Sequence, residues 1–135
     1  MTAVVSQTVM PIGDHPGHEI GVIRHLEFDN SSTADFDAIA YDVVETTDYT
    51  AGNGTHRGYR VSIVPGEDRL SSAYEGTTRA VTRPGAAPDI TFEGKWWFTG
   101  GTGKFRGITG GGTYKGQAGP AGVTWEWQGD YEVTK

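Results

Sequence analysis

Cysteine is absent from this 135-residue chain, which excludes disulfides, thiolate nucleophiles and thiolate metal ligands and suits a reducing compartment. No apolar run is long enough to span a bilayer. The opening Met1–Ser6 lacks the basic n-region and apolar stretch of a secretory signal. Together these predict a cytoplasmic protein with no membrane partner. Positive charge is scarce: 11 Lys and Arg stand against 17 Asp and Glu, for a net charge of −6. Non-specific nucleic-acid binding relies on a basic surface, and Arg79 and Arg83 are too sparse to build one, so no nucleic-acid partner is expected. An apolar period of 3.6 residues is nowhere sustained for three turns, which leaves almost no room for helix. The length fits one domain over residues 1–135 with a core that needs no staples.

What the chain does have is strands separated by turn chemistry. Val4–Val9, Ile20–Phe28, Phe36–Glu45, Gly58–Val64, Leu70–Thr82, Ile90–Thr99, Gly112–Gln117 and Val123–Val133 read as eight strands. Asp29–Ser32, Asp48–Thr55, Pro65–Asp68, Arg83–Pro88 and Ala118–Gly122 read as breaks between them. Eight sequential strands in so short a chain predict an all-β fold, an eight-stranded antiparallel up-and-down β-barrel. Closure would remove exposed sheet edges, and the interior would be filled by side chains or hold one small ligand. Period two assigns the faces of the two clearest strands. Val123, Trp125, Trp127, Tyr131 and Val133 point inward on the last, and Ile90, Phe92, Trp96 and Phe98 on Ile90–Thr99. Gly94 and Gly129 fall on the inward sets, where a missing side chain leaves room or lets the sheet bend.

Between Phe98 and Gly116 glycine is dense, yet Phe105, Ile108 and Tyr114 are too apolar for a flexible linker. A phosphate loop is excluded, because Lys104 is followed by Phe105 and Gly101-Thr102-Gly103 lacks a third glycine at the dinucleotide spacing and a following helix. The stretch reads as a structural corner. Trp97-Phe98-Thr99-Gly100-Gly101-Thr102-Gly103-Lys104-Phe105-Arg106-Gly107 and the following Ile108–Tyr114 resemble the Gly-Gly-Thr-Gly-x-Phe segment shared by allene oxide cyclases and dirigent proteins. That superfamily consists of eight-stranded antiparallel barrels related in architecture to the calycins. The resemblance covers about twenty residues closely. It implies a barrel with an apolar cavity, commonly in dimers or trimers. It anchors none of the families' catalytic carboxylates to a position in this chain.

Site residues therefore come from the chemistry of the side chains. His15, His18 and His25, with Asp14 and Glu19, form the one cluster with metal-ligand chemistry. His18 and His25 are seven apart and point to opposite faces of a strand, and His15 lies beside Pro16-Gly17, so surface histidines and no metal are expected. His56 reads as a loop residue. For acid–base work the candidates are Asp42, Glu45, Tyr74 and Arg24, with His25 beside them. On Phe36–Glu45, parity with Phe36, Ala38 and Ala40 would bury Asp42, while the opposite choice buries Ile39, Tyr41 and Val43; both choices stand. A buried carboxylate has a raised pKa or a charged partner such as Arg24. Tyr74 shares a face with Gly76 and Thr78 and has the room to hydrogen-bond a substrate oxygen. Tyr41, Tyr59, Phe92, Trp96, Trp125, Trp127 and Tyr131 are the candidate substrate-binding residues. Trp97, outward between Glu93 and Lys95, suggests a subunit contact and hence a homo-oligomer.

The expected function is a cofactor-independent isomerase, cyclase or lyase acting on a small hydrophobic, unsaturated molecule held in the barrel. Its alternatives are a lipocalin-like carrier and a dirigent-like protein that orients substrates for a partner enzyme.

Overall fold

The computed structural model describes residues 2–63 and 66–133; Val64 and Pro65, the expected strand end and turn residue, lie outside them. The strands are β1 (Thr2–Pro11), β2 (His18–Asp29), β3 (Ile39–Thr50), β4 (Asn53–Ser62), β5 (Leu70–Arg83), β6 (Ala86–Gly101), β7 (Ile108–Gly119) and β8 (Gly122–Val133). Each pairs antiparallel with its neighbour in sequence, giving one eight-stranded sheet in the order β1 to β8. The main departures from expectation are at strand ends. Asp48–Thr55, expected as a loop, is strand up to a two-residue turn at Ala51–Gly52, both with positive φ (51° and 80°). That is the backbone of a tight hairpin whose twist matches its strands. Another two-residue turn, at Pro84–Gly85, lets β6 begin at Ala86. The two helical segments among the described residues are single 3-10 turns, and no helix there is long and apolar enough to cross a membrane.

Closure is where the expected barrel is corrected. Among the described residues β1 and β8 each pair on one side only, so the sheet has two free edges. A bulge at Val5 shifts the β1–β2 register and re-aims the β1 edge, a device that interrupts continuous edge pairing. The sheet is nevertheless curled, since Thr2 and Val4 of β1 line the same cavity as Val123, Trp125 and Trp127 of β8.

One end of the curl is plugged. Phe36, Leu70, Phe105 and Ile108 form a buried cluster against Phe98, Trp127 and Val133. Phe36 and Phe105 are delivered by the 3-10 turns Ala34–Phe36 and Gly103–Phe105. The glycine corner makes the second turn possible. Gly103 has φ of 60°, and a Cβ at Gly101 would strike the Phe105 backbone. The backbone N–H of Lys104 donates to Asp68 at 2.9 Å, tying the corner to the loop before β5. The opposite end, where the hairpin turns meet, has no buried hydrophobic cluster among the described residues.

The face of β3 is settled by its entry. Phe36 belongs to the 3-10 turn and Ala38 has φ of 59°, so the alternation does not run continuously from Phe36 into the strand. Ile39, Tyr41 and Val43 are buried, and Asp42 faces outward.

Candidate active site

Inward side chains from all eight strands line a cavity of about 440 Å³, within the usual range for a small-molecule site. Its two walls differ in chemistry. β2, β3 and β4 contribute His25, Glu27, Asp29, Glu45, His56 and Arg60, whereas β6 and β8 contribute Ile90, Phe92, Trp96, Phe98, Trp125 and Trp127.

Glu45 and Tyr74 form the first polar group. In the row Ile23–Glu45–Gly58–Tyr74–Trp96, Tyr74 and Glu45 are separated by the whole of β4. They meet because Gly58 lies between them: a Cβ there would stand 2.5 Å from the tyrosine hydroxyl. The Tyr74 hydroxyl donates to Glu45 Oε1 at 2.9 Å. Burial pushes the Glu45 carboxyl above its ordinary value, against the opposing effects of that hydrogen bond and of His25. Burial raises Tyr74 as well, helped by the Glu45 charge, so its hydroxyl stays protonated and remains a donor.

His56 and Tyr114 repeat the arrangement one row away. Gly76 and Gly94 lie between them, and a Cβ at either would stand 2.5 Å from the Tyr114 hydroxyl. His56 Nε2 is hydrogen-bonded with that hydroxyl at 2.6 Å and Nδ1 with Thr78 Oγ1 at 2.8 Å. Only 5% exposed, the imidazole is held below its usual pKa by burial and is therefore neutral at pH 7. Tyr49 shares the Thr78 hydroxyl at 2.8 Å.

The third group is a chain of charges toward the plugged end. Arg60 Nε donates to Glu27 Oε2 at 3.0 Å, its Nη2 donates to Asp29 Oδ2, and the guanidinium lies 4.0 Å over the Tyr41 ring. Glu27 Oε1 is hydrogen-bonded with His25 Nε2 at 2.9 Å. Burial alone would lower His25, but Glu27 and the charge of Glu45 outweigh it and raise the imidazole. Glu27 goes the other way, because His25 and Arg60 overcome its burial and lower it. Asp29 is raised by burial despite Arg60, and among the described residues its Oδ1 has no hydrogen-bond partner. Burial pushes the Tyr41 hydroxyl up to about 12.

Against these placements the candidate set divides. Glu45, Tyr74, Tyr41, Phe92, Trp96, Trp125 and Trp127 share the cavity wall. Tyr74 is committed to Glu45, so it positions the carboxyl and its hydroxyl proton is not offered to a substrate oxygen. Asp42 and Arg24 are corrected: they lie on the outer face and pair with each other through two hydrogen bonds of 3.0 and 2.7 Å. Arg24 holds the Asp42 carboxyl below its usual value. Tyr59 is likewise outward, 63% exposed, because it shares the parity of Val61 on β4. Tyr131 is on the inward set but packs its ring edge-on against Phe36, 4.8 Å between centroids, outside the cavity lining. His56, Tyr114, Glu27, Asp29 and Arg60 were not selected from the sequence. The inward parity of Ile23 carries His25, Glu27 and Asp29 with it, but the apolar Val22, Leu26 and Phe28 on the other face hid that signal.

Comparison with family models, with curated proteins and with solved structures found no match to this chain.

Proposed function

We propose that the protein is an enzyme that binds a small, largely apolar, unsaturated molecule in this cavity and rearranges it by proton transfer, without a cofactor, as an isomerase, cyclase or lyase. Glu45 moves the proton. The observation that carries this reading is a carboxyl raised by burial, held by the Tyr74 hydroxyl, on the wall of an apolar cavity. Burial favours its protonated form, so one group both holds and releases a proton closer to neutrality than an ordinary carboxylate does. His25 lines the same cavity, and Glu27 and the charge of Glu45 favour its protonated form, which would stabilise a substrate oxygen as it becomes negative. The aromatic wall of Phe92, Trp96, Trp125 and Trp127 holds the unsaturated body of the substrate against that pair. A pure carrier has no use for a buried, proton-holding carboxyl in its pocket, which favours the enzyme reading over a lipocalin-like one.

Native mass spectrometry of the protein purified from its own host, followed by solvent extraction, identifies the class of bound molecule. Glu45→Gln is then expected to bind that class with unchanged affinity and to lose turnover. Full turnover in the variant would remove Glu45 from the chemistry. Turnover that requires an added oxidant would indicate the dirigent-like alternative.

The outer sheet face supports a homo-oligomer, a dimer or trimer. Leu26, Phe28, Val44, Tyr59, Val61 and Trp97 are all large, exposed and on the outward parity of β2, β3, β4 and β6. A second copy of the chain covers this face, with Trp97, 38% exposed, at its border.

A further inference from the structure

At the hairpin end of the sheet, on its outer side, four polar side chains converge from three segments. Asp14 and His15 come from the β1–β2 turn, His18 from the first residue of β2, and Asp48 from the end of β3. One donor atom each from Asp14, His15 and His18 lies within 4.8 Å of the others. Asp14 occupies the centre: its Oδ1 is 2.6 Å from His18 Nδ1 and its Oδ2 is 3.1 Å from His15 Nδ1. The two imidazoles are stacked, 4.6 Å between centroids and 4° from parallel, with both Nδ1 atoms toward the same carboxylate.

The far sides of the rings are also held. His18 Nε2 is held by Asp48 Oδ1 at 2.6 Å, and His15 Nε2 is hydrogen-bonded with Thr50 Oγ1 at 2.9 Å. A histidine that ligates a metal through one nitrogen characteristically donates its other N–H to a carboxylate or another oxygen acceptor, which fixes the tautomer and the ring direction. Both histidines have that outer partner. The turn that brings them together is itself anchored, since the Ala51 backbone N–H donates to the Gly17 carbonyl at 3.2 Å and Ile12 N–H to the His18 carbonyl at 3.0 Å.

We propose that Asp14, His15 and His18 form a divalent-metal site of the zinc class, with Asp48 and Thr50 as the groups that orient the two imidazoles. Two imidazoles and a carboxylate are a donor set suited to Zn²⁺, and three protein ligands leave one coordination position open to solvent. Binding tilts the stacked rings toward each other so that their in-plane lone pairs converge on one ion. His15, about half exposed, has the freedom to make that movement. The ion would clamp the β1–β2 turn to the end of β3. The site lies outside the cavity, so it is independent of the proposed chemistry of Glu45.

The test is calorimetric titration of ZnCl₂ into the untagged chain, with thermal unfolding followed with and without zinc. One saturable equivalent per chain is expected, together with a rise in Tm, because a ligand that binds only the folded state stabilises it. His18→Ala and His15→Ala abolish both effects; His15→Ala, on an exposed turn, keeps the test valid should the first variant fold poorly. Asp48→Asn, which supplies no ligand, weakens binding roughly 10-fold or more. Lack of a saturable equivalent overturns the proposal and leaves an ion-pair cluster. So does an isotherm unchanged in His15→Ala.

Discussion

Glu45→Gln interrogates the central side chain without emptying its space. The amide preserves the shape of the carboxyl and an oxygen able to accept the Tyr74 hydroxyl, and it carries no charge. Burial raises the Glu45 carboxyl above its reference value of 4.5, so the folded chain binds a proton there more tightly than the unfolded chain does. The stability this contributes is complete below pH 4.5 and is lost as pH rises through the folded-state pKa. Each unit of elevation is worth about 1.4 kcal/mol. With about 2.1 cal/mol/K of unfolding entropy per residue, a chain of 135 residues shifts by about 5 °C in Tm per unit. The variant removes the loss. Circular dichroism melts from about pH 4 to about pH 8 should therefore show the variant gaining on the wild type as pH rises. His25, also raised, adds a loss of stability with the same sign, and it is present in both proteins. The difference between the two curves isolates Glu45 and its coupling to His25. A variant less stable than the wild type by more than about 1 kcal/mol at about pH 8 would refute the reasoning, since the ionised carboxylate would then be the well-satisfied form.

Gly76→Ala forces a Cβ against the Tyr114 hydroxyl and the Glu93 carbonyl; a loss of about 1–3 kcal/mol in urea unfolding is expected, and full stability would show that the glycine is not what admits Tyr114. Asp42→Asn breaks an exposed pair and should cost no more than about 1 kcal/mol. It should leave ligand affinity and turnover unchanged, and a fall in turnover would return Asp42 to the site. Trp97→Glu places a charge on the apolar outer face and should shift sedimentation toward monomer; an unchanged sedimentation coefficient would remove that face as the interface.

Strand number and order were legible because β-branched and aromatic runs alternate with turn chemistry along the whole chain. The faces of β6 and β8 were legible for the same reason, since Phe92, Trp96, Trp125 and Trp127 obey a strict period of two. The face of β3 was not, because one residue, Ala38 at positive φ, separates the parity of Phe36 from that of Ile39. His56 escaped because Gly52-Asn53-Gly54 looks like a loop, whereas the turn occupies only Ala51–Gly52 and Asn53 is already strand. The polar partners of the site are long-range pairs, 29 residues apart for Tyr74 and Glu45 and 58 for Tyr114 and His56. Register across an entire strand decides such pairs, and no local pattern encodes it. Closure is not encoded for a related reason: a period of two specifies which face is inward but says nothing about whether the first and last edges meet.

Glycine explains how a cavity survives among so many large inward side chains. If Tyr74 faced a full side chain at position 58, or Tyr114 at positions 76 and 94, each ring would be turned out of the row it now crosses. With glycine there, each ring lies over bare backbone and its hydroxyl arrives beside an ionisable group on a strand it does not pair with. Trp96 uses the same device over Gly129, and Phe92 over Gly116. The rings thus lie against the sheet, and the space they vacate is the cavity. The same packing sorts the walls, with charge on β2 to β4 and ring surface on β6 to β8. Under the proposed function, a substrate with one polar head and an unsaturated body meets complementary chemistry in a single orientation, head toward Glu45 and His25. Orientation by the aromatic wall and proton transfer by the carboxyl are then two consequences of the same glycine pattern. A Cβ at Gly58 would impair both at once, because it would displace the Tyr74 ring from the wall and its hydroxyl from Glu45.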